Sequence, residues 1–333
     1  MFNNISNDTK KMIRISIYLI IVFVLFVGGF FTGKSLKLLS KIAPENQLDR
    51  NSIGLSNPST DIDFSDNKIV TFAVFGLDRR DKNEIPRSDA IMLVTIDTSR
   101  KKIKLTSVMR DIYITIDGIG KDKLNHAYFY GGPALSLKTI NNTFNMNVED
   151  YVSVDFFNLP TIIDDLGGIE LDIKKSEINN LNKYIQENQS LLNISGEHLI
   201  KESGVQTVSG IQALSYARIR DVGDGDFERT ERQRKVILAM IEKAQSISPL
   251  KLSKLLEKNI DAIETSLSLN KILSLGANLL LNKYTIEQTR IPFEGDYDDG
   301  GRIIDGIWYL TFDKETTVNK FKNYIYNDVL DQK

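Results

Sequence analysis

The densest group of charged side chains in this chain lies at residues 216–233, which read YARIRDVGDGDFERTERQ. Arg218 and Arg220 alternate as on an extended segment, which would direct both guanidinium groups to one side. A helix predicted to begin near Phe227 places three further side chains on one face: Arg229, Arg232 and Gln233. Guanidinium groups stay charged and donate paired hydrogen bonds to phosphate or carboxylate. The stretch predicts an anion site, and the alternative is a solvated helix held by ion pairs between residues four apart.

A second group of charges stands at the ends of predicted strands. Continuous β-rich runs predict strands at residues 68–77, 90–96 and 103–108, the last two as a hairpin. Asp78, Asp89 and Arg110 then lie where these strands begin or end. Magnesium usually takes one or two protein carboxylates together with water and phosphate oxygens. Asp78 and Asp89 are therefore candidate ligands of Mg²⁺, although they could also be ordinary aspartates at strand ends.

Six arginines could form a shared anion site, namely Arg80, Arg87, Arg110, Arg218, Arg220 and Arg229. Like charges 4 Å apart repel by about 4 kcal/mol at an effective dielectric constant near 20. If three of these side chains converge, a polyanion is the natural occupant. The chain contains no Gly-x-x-x-x-Gly-Lys-Ser/Thr loop, which argues against nucleotide hydrolysis of that type.

The composition limits the classes of function. The chain has 333 residues, of which 41% are hydrophobic and 26% charged, enough for one large domain or two small ones. Its net charge of −2 implies no general attraction to nucleic acid, so an anion site must be local. The absence of cysteine excludes disulfides, thiolate metal sites and a cysteine nucleophile. The chain has two histidines, His126 and His198, which argues against a histidine metal cage or a Ser-His-Asp relay.

The N-terminal region predicts a membrane anchor. Residues 1–14 are polar and basic, but Lys34, Lys37 and Lys41 balance their charge, so the residues alone leave the orientation in the membrane open. Residues 15–33 form an uncharged run of 19 residues, which at about 1.5 Å per residue can cross the hydrocarbon core of a bilayer. A cleavable signal peptide is the alternative, but no small-x-small cleavage site follows. Residues 34–67 are polar and predict a linker, and a folded domain is expected at 68–330.

The rest of the chain alternates between helical and strand patterns. After the three strands we expect a helix starting at Pro133, a strand at 151–155, a helix at 158–166 and a strand at 169–173. Further helices are predicted at 250–256, 267–281 and 318–326, and strand or loop segments at 288–291 and 303–308. This alternation predicts an α/β (α+β) sandwich with a central mixed β-sheet covered by helices.

Several short motifs together resemble the LytR-CpsA-Psr family. They run in family order from about residue 68 to residue 245: Gly76-x-Asp78-x-Arg80, Arg87-Ser88-Asp89, Arg110-Asp111, Lys123-x-Asn125-x-Ala127-Tyr128 with Gly131-Gly132, Asp165-Leu166-Gly167-Gly168, Ser209-Gly210-x-x-Ala213, and Tyr216-Ala217-Arg218-x-Arg220 through Arg229-x-x-Arg232-Gln233. Each motif is weak alone, but the ordered set is specific.

The resemblance implies a single-pass enzyme of the cell membrane and also sets its orientation, with residues 1–14 in the cytoplasm and the linker 34–67 and the catalytic domain outside. Such an enzyme moves a glycopolymer, for example teichoic acid or capsule, from an undecaprenyl-pyrophosphate carrier to peptidoglycan, leaving a phosphodiester. Mg²⁺ on Asp78 and Asp89 would bridge the pyrophosphate. By family position, four arginines with Gln233 in support contact the pyrophosphate: Arg110, Arg218, Arg220 and Arg229. Arg110 is also a candidate catalytic residue, and the base that accepts the acceptor proton is Asp226 or, second, Asp111.

A polyprenyl carrier also needs an apolar groove, because each buried CH₂ contributes about 0.8 kcal/mol. The candidate lining residues are Leu137, Ile140, Phe144, Phe156, Phe157 and Ile163, although each could be ordinary core. Two other functions stay open. One is a pyrophosphatase that uses water instead of the sugar hydroxyl, and the other is a non-catalytic, lipid-phosphate-binding envelope regulator.

Overall fold

The computed structural model describes residues 48–55, 69–78, 85–155, 158–221, 226–247, 284–298 and 301–330, and a few positions between 251 and 282. No helix within these ranges is long and apolar enough to span a bilayer. The predicted anchor, 15–33, lies outside the described residues. The segment predicted as one domain, 68–330, divides into two compact units.

The sheet unit comprises Pro44–Ser153, Thr265–Ser268 and Ile286–Lys333. A six-stranded sheet has the order β10-β3-β2-β1-β6-β9. Its strands are β1 (Ile69–Asp78), β2 (Arg87–Asp97), β3 (Lys102–Val108), β6 (Asp150–Asp155), β9 (Ile263–Thr265) and β10 (Thr285–Ile291). The predicted hairpin is confirmed, since β2 and β3 pair antiparallel from Met92↔Ser107 to Asp97↔Lys102. The predicted combination of a central sheet with covering helices is also confirmed.

The pairing of β1 with β2 contains a bulge near its charged end. The register runs regularly from Ile69↔Asp97 to Gly76↔Ala90, then shifts so that Leu77 pairs with Ser88 and Asp78 with Arg87. Asp89 is therefore the extra residue on β2. A bulge bends the strand and redirects side chains, which is why bulges occur next to functional sites.

Helix α1 (His126–Phe144) covers this sheet in two segments. Gly131 and Gly132 have non-helical backbone angles, and Pro133 begins the second segment, as its position in the sequence predicted. Three apolar side chains of that segment are fully buried: Leu137, Ile140 and Phe144. Before the kink, Tyr128 packs edge-on against Phe75 of β1, with ring centroids 5.3 Å apart.

Part of the predicted linker is packed in the sheet unit. Residues 48–55 form turns that bury Ile53 and Leu55. The Ile53 carbonyl accepts a 2.9 Å hydrogen bond from Nδ2 of Asn141 on α1. Asn141 also donates to the Val148 carbonyl and accepts from the Val148 amide, so it holds both the segment before α1 and the segment after it.

Two small hairpins and a C-terminal helix complete the sheet unit. The first hairpin pairs β4 (Tyr113–Ile116) with β5 (Gly120–Lys123), and the second pairs β11 (Arg302–Ile304) with β12 (Ile307–Tyr309). The predicted helix at 318–326 is α6 (Lys314–Lys322), followed by a π-helical turn at Asn323–Asn327. The fully buried Lys104 of β3 bonds carbonyls of that turn and lies 2.9 Å from Oδ1 of Asp328.

The helical unit comprises Val154–Glu264 and Leu269–Thr285. Its elements are α2 (Leu159–Leu166), β7 (Ile169–Ile173), α3 (Ile178–Leu192), β8 (Gly204–Val208), α4 (Gly210–Arg218) and α5 (Asp226–Ser246). The predicted α2, β7 and α5 are confirmed, and Gly167 ends α2 with φ 87°. Helix α3 was not predicted, although Leu181 and Ile185 on its buried face have helical spacing. A helix start at Leu267 was wrong, because residues 266–268 are not helical.

Helices α2 and α4 touch through a glycine that cannot be enlarged. A Cβ on Gly210 would lie 2.0 Å from the carbonyl oxygen of Pro160 and 2.4 Å from its Cα. The Gly210 amide also donates a 2.7 Å hydrogen bond to Oδ1 of Asp164. The contact is backbone against backbone, so no side-chain rotation can relieve it.

We expect Gly210→Ala to destabilise the protein by about 2 kcal/mol or more, because the two helices must separate. Thermal unfolding of the full chain in detergent, followed by circular dichroism, measures this loss. Gly204→Ala is the control. A Cβ there has no neighbour within 4 Å but φ is +107°, so the cost is backbone strain of about 1 kcal/mol. A smaller loss for Gly210→Ala than for Gly204→Ala would contradict the packing argument.

Candidate active site

Four side chains of alternating charge form a row in the sheet unit, which we call the charged row: Asp89, Arg110, Asp111 and Lys123. Arg110 donates from Nη1 to Oδ2 of Asp89 at 2.6 Å and from Nε to Oδ2 of Asp111 at 3.1 Å. Lys123 Nζ donates to the other oxygen of Asp111 at 2.7 Å. Exposed fractions of these side chains lie between 6% and 18%, so solvent screens the charges only in part.

The backbone holds the charged row in place. Asp89 is the bulged residue of β2, Arg110 and Asp111 follow β3, and Lys123 ends β5. The Asn125 amide donates to the Arg110 carbonyl at 3.1 Å, and the Leu310 amide to the Asp111 carbonyl at 2.9 Å. The row therefore rests on a network of backbone hydrogen bonds rather than on one flexible loop.

The sequence predicted part of this row. The strand ends allow Asp78, Asp89 and Arg110 to form one cluster, and the structure brings Asp89 and Arg110 together. Asp111 was assigned as a second candidate base. Lys123 received no role, although it stands in one of the family motifs, because nothing in its spacing indicates that β5 returns to the end of β3.

Asp89 also has polar neighbours suited to a bound cation. Asn125 donates from Nδ2 to Oδ1 of Asp89 at 3.2 Å. Its own Oδ1 is buried and has no hydrogen-bond partner among the described residues, and the same is true of Oγ of the fully buried Ser88. Buried oxygen acceptors without a donor are costly unless a ligand, ion or water satisfies them. Oxygen atoms that can ligate a cation, placed beside a carboxylate, suit Mg²⁺.

The other predicted metal ligand, Asp78, pairs with Arg87 in the strand register. No group of three acidic or histidine side chains able to hold a metal occurs in the described part of the chain. Magnesium does not need three protein ligands, so one or two aspartates with an amide oxygen are sufficient. Exposed Arg87 stacks over the ring of Phe129 at 5.0 Å, and Arg80 lies outside the described residues.

A histidine and a tyrosine converge on Asp122, next to Lys123. Nδ1 of His126 lies 2.8 Å from Oδ2 of Asp122, and the Tyr130 hydroxyl donates to the same oxygen at 3.3 Å. Burial acts to raise the pKa of Asp122, but these bonds and one from the Lys123 amide outweigh it and lower the pKa. Asp122 is thus held ionised at the edge of the charged row.

In the helical unit, Arg218 is anchored to a buried amide. It donates from Nη1 to Oδ1 of Asn188, whose Nδ2 donates to Oγ of Ser215 at 2.9 Å. The expectation that Arg218 and Arg220 both lie on an extended segment was wrong, because Arg218 is the last residue of α4. Ile219 turns out of the helix with ψ 127°, and Arg220 is exposed.

Helix α5 carries an arginine that is part of the core. The Arg232 side chain is 2% exposed and donates from Nε to Oε1 of Glu177, also 2% exposed, at 2.9 Å. It also bonds Glu228 at 2.6 Å and the Ile219 carbonyl at 3.3 Å. These contacts assign Arg232 to the fold, connecting α5 to the end of α4 and the start of α3.

The remaining candidates have diverse surroundings. Arg229 is buried, Gln233 is partly buried, and Asp226 is the first residue of α5. Of the predicted lipid-lining residues, three belong to the sheet unit and one to the helical unit, and all four are fully buried: Leu137, Ile140, Phe144 and Ile163. Phe156 and Phe157 lie outside the described residues. A lipid-binding role for this set stays a prediction.

A double-mutant cycle tests the charged row. Asp111→Asn removes a charge held by two cations, and Lys123→Met removes one of them. We expect a coupling of about 1–3 kcal/mol in the free energy of unfolding, because the pair is largely buried. The ion pair of Lys201 with Glu197, whose side chains are 74% and 70% exposed, is the control and should show no measurable coupling. Additive effects of the first two substitutions would contradict the geometry.

A second prediction separates structural from ligand-facing arginines. Arg232→Met leaves the Glu177 carboxylate buried without its main partner, and should cost about 3–5 kcal/mol. Arg218→Ala removes one hydrogen bond to Asn188 and should cost about 1–2 kcal/mol. Thermal unfolding of both variants beside the unaltered chain checks the order. Equal losses would mean that Arg218 is as much a part of the core as Arg232.

Comparison with known proteins places the chain in a family. Over 81% of the chain and 79% of the relative, it is 30% identical to the polyisoprenyl-teichoic acid–peptidoglycan teichoic acid transferase TagU of Oceanobacillus iheyensis. It is 29% identical to the regulatory protein MsrR of Staphylococcus aureus over 78% of the chain and 75% of MsrR. A structure of the LytR-CPS2A-psr family protein YwtF (TagT) with bound octaprenyl pyrophosphate lipid shares the fold, with a TM-score of 0.59 and 22% identity over 84% of this chain and 99% of that chain. The model of the LytR_cpsA_psr family matches residues 31–325, and the chain therefore belongs to this family.

Proposed function

We propose that this protein is a membrane-anchored transferase that moves a glycopolymer from a polyprenyl-pyrophosphate carrier, such as undecaprenyl pyrophosphate, to peptidoglycan. The observation that carries the proposal is the charged row together with Asn125, which bonds Asp89 and whose own Oδ1 is buried without a hydrogen-bond partner among the described residues. The names of its relatives support it, since TagU is called a peptidoglycan teichoic acid transferase and the related TagT binds octaprenyl pyrophosphate.

The proposed reaction exchanges one phosphorus–oxygen bond for another. A hydroxyl oxygen of peptidoglycan attacks the phosphorus that carries the sugar, and the bond from that phosphorus to the bridging oxygen breaks. The products are a sugar phosphodiester on peptidoglycan and polyprenyl phosphate. The hydroxyl proton passes to a base, and negative charge accumulates on the departing phosphate.

The sheet unit would serve this reaction through its fixed charges. Arg110 is proposed to stabilise negative charge on the pyrophosphate, with Arg80 and Arg87 as further cations. Asp78 and Asp89, with the Asn125 oxygen, would hold Mg²⁺, which as a Lewis acid screens phosphate charge. Asp111 is engaged by Arg110 and Lys123. It is therefore better suited to positioning these cations than to accepting a proton.

For the helical unit we propose that Arg218, Arg220 and Arg229, with Gln233 in support, bind phosphate oxygens. Arg218 is held by Asn188, which limits its rotamers before a ligand binds. Asp226, at the start of α5, is the proposed base. Apolar residues of α1 and α2 are proposed to contact the carrier chain, and residues 15–33 to anchor the chain with residues 34–330 outside the membrane.

Transfer by the full chain in detergent tests the proposal. With a lipid-pyrophosphate-linked glycopolymer, peptidoglycan and Mg²⁺, we expect a sugar phosphodiester and polyprenyl phosphate. Arg110→Lys should lower kcat by about 100-fold or more, because a point charge cannot replace the guanidinium fork. Arg100→Gln, at the other end of β2, is the control.

Chelation of Mg²⁺ should abolish transfer, and calorimetric titration of Mg²⁺ should show weaker binding when Asp78 and Asp89 are both changed to Asn.

The products discriminate between the functions. Free sugar phosphate without modified peptidoglycan would indicate a pyrophosphatase. Tight binding of the lipid without turnover would indicate a regulator, a possibility raised by the name of MsrR. Full transfer by Asp226→Asn would remove Asp226 as the base, and unchanged Mg²⁺ binding by the double variant would remove the metal assignment.

A further inference from the structure

Three aromatic side chains adjoin the charged row, and we call them the aromatic shelf: Tyr113, Trp308 and Tyr309. The rings of Tyr113 and Tyr309 are 4.6 Å apart between centroids. Nζ of Lys123 lies 5.6 Å from the Trp308 ring centroid and 5.8 Å from that of Tyr309. The same ammonium group bonds Asp111, so one side chain joins the shelf to the charged row.

The hairpin that carries Trp308 is built to be rigid. Its turn consists of Asp305 and Gly306, with φ 51° and 78°, the two positive values that a type I′ turn requires. A Cβ on Gly301 would lie 2.7 Å from Cε2 and Cζ2 of Trp308, so the indole ring rests against glycine backbone. These features fix the ring rather than leave it to rotate in solvent.

The backbone next to the shelf is also tied directly to the charged row. The Leu310 amide donates to the Asp111 carbonyl at 2.9 Å, and the Leu310 carbonyl accepts from the Tyr113 amide at 2.9 Å. Trp308 is two residues before Leu310. The position of the ring relative to Asp111 is therefore set by main-chain hydrogen bonds.

The shelf meets solvent despite this rigid support. Trp308 is 37% exposed, and Ile303, its direct partner across the hairpin, is 75% exposed. Aromatic rings that keep one face accessible commonly serve in recognition, because they bury much area at little entropic cost. Because Trp308 is held beside the charged row, its exposed ring is placed to contact a ligand bound there.

The polar groups around the shelf indicate what it binds. Lys123 offers donors and Asp122 offers acceptors. Burial, and after it the nearby Asp122 carboxylate, raise the pKa of the Tyr309 hydroxyl. A sugar ring has an apolar C–H face and a rim of hydroxyls that need both donors and acceptors. A hydrocarbon chain would remove water from Lys123 and Asp122 without offering either a hydrogen bond, and ionised Asp122 would repel an anionic lipid surface.

We propose that the aromatic shelf binds a sugar ring of the acceptor glycan, with the ring face on Trp308 and its hydroxyls on Lys123 and Asp122. This inference rests on the proposed function, since it identifies the acceptor subsite of the same reaction. The sugar would lie at the Lys123 end of the charged row, and the metal and pyrophosphate are proposed at the other end, at Asp89.

Trp308 is the single tryptophan of the chain, so its fluorescence reports on the shelf without interference. Titration of the full chain in detergent with an N-acetylglucosamine tetrasaccharide should give a saturable change in emission. Lys123→Met should raise the dissociation constant several-fold. Val205→Ser, which alters an apolar side chain 71% exposed in the helical unit, should leave it unchanged. No change in emission up to millimolar tetrasaccharide would overturn the proposal.

A second arm distinguishes a membrane contact. In vesicles whose lipids carry bromine on their acyl chains, Trp308 should keep its emission, because bromine quenches only on contact. Strong quenching would mean that the shelf touches lipid, and this result too would overturn the proposal.

Kinetics separate failure of the shelf from failure of the reaction. Trp308→Ala should raise KM for the peptidoglycan acceptor about tenfold, the equivalent of one stacking contact, with little change in kcat or in binding of the lipid donor. Gly301→Ala, whose Cβ would crowd both the Trp308 ring and the Tyr309 carbonyl, should act in the same direction. Unchanged KM in both variants would refute the subsite. If the unaltered chain transfers nothing, the proposed function fails, while the fluorescence titration still decides whether the shelf binds sugar.

Discussion

The mutual neutralisation of Asp89, Arg110, Asp111 and Lys123 is the constraint on which the architecture of the sheet unit depends. Adjacent opposite charges about 4 Å apart attract by about 4 kcal/mol at the effective dielectric near a protein surface. A missing member would leave a like-charged or unpaired group in a partly buried place. The order of charges therefore requires three separate segments of the chain to meet at one point.

Each segment meets this requirement by a different local device. A bulge offsets Asp89 from the regular pairing of β1 and β2, and the end of β3 provides Arg110 and Asp111. The short β4–β5 hairpin returns Lys123 to Asp111, and the backbone of Leu310 holds the Asp111 segment from the other side. The same hydrogen bonds that support the charged row also fix the aromatic shelf. The backbone around Leu310 therefore positions both the charged row and the exposed ring of Trp308.

In the helical unit, arginines of one motif divide into different structural classes. Arg232 is enclosed with Glu177 in the core, and its loss would be felt as instability. Arg218 leaves the end of α4 and is oriented by Asn188, so its role does not depend on closing the core. Both are arginines of the same motif, so residue type and spacing do not distinguish them. Only their surroundings show which guanidinium supports the fold and which can face a ligand.

The sequence by itself determined most of the secondary structure, because strands and helices with a strong apolar period report their own burial. It placed β1 to β3, a helix start at Pro133 and the start of α5, and its ordered motifs identified the family. Helix α3 was not predicted because its polar residues obscure the helical spacing of Leu181 and Ile185. The division into two units was not predicted either, because no change in composition marks it. The strand ends alone made a contact between Asp89 and Arg110 possible. The sequence could not predict that Lys123, Asn125 and Trp308 lie at the same site. A hairpin register and a main-chain hydrogen bond from Leu310 bring together residues up to about 200 positions apart, and no local pattern records such contacts. Tertiary structure also decided that Arg232 belongs to the core, since burial of a charge depends on the partner that encloses it.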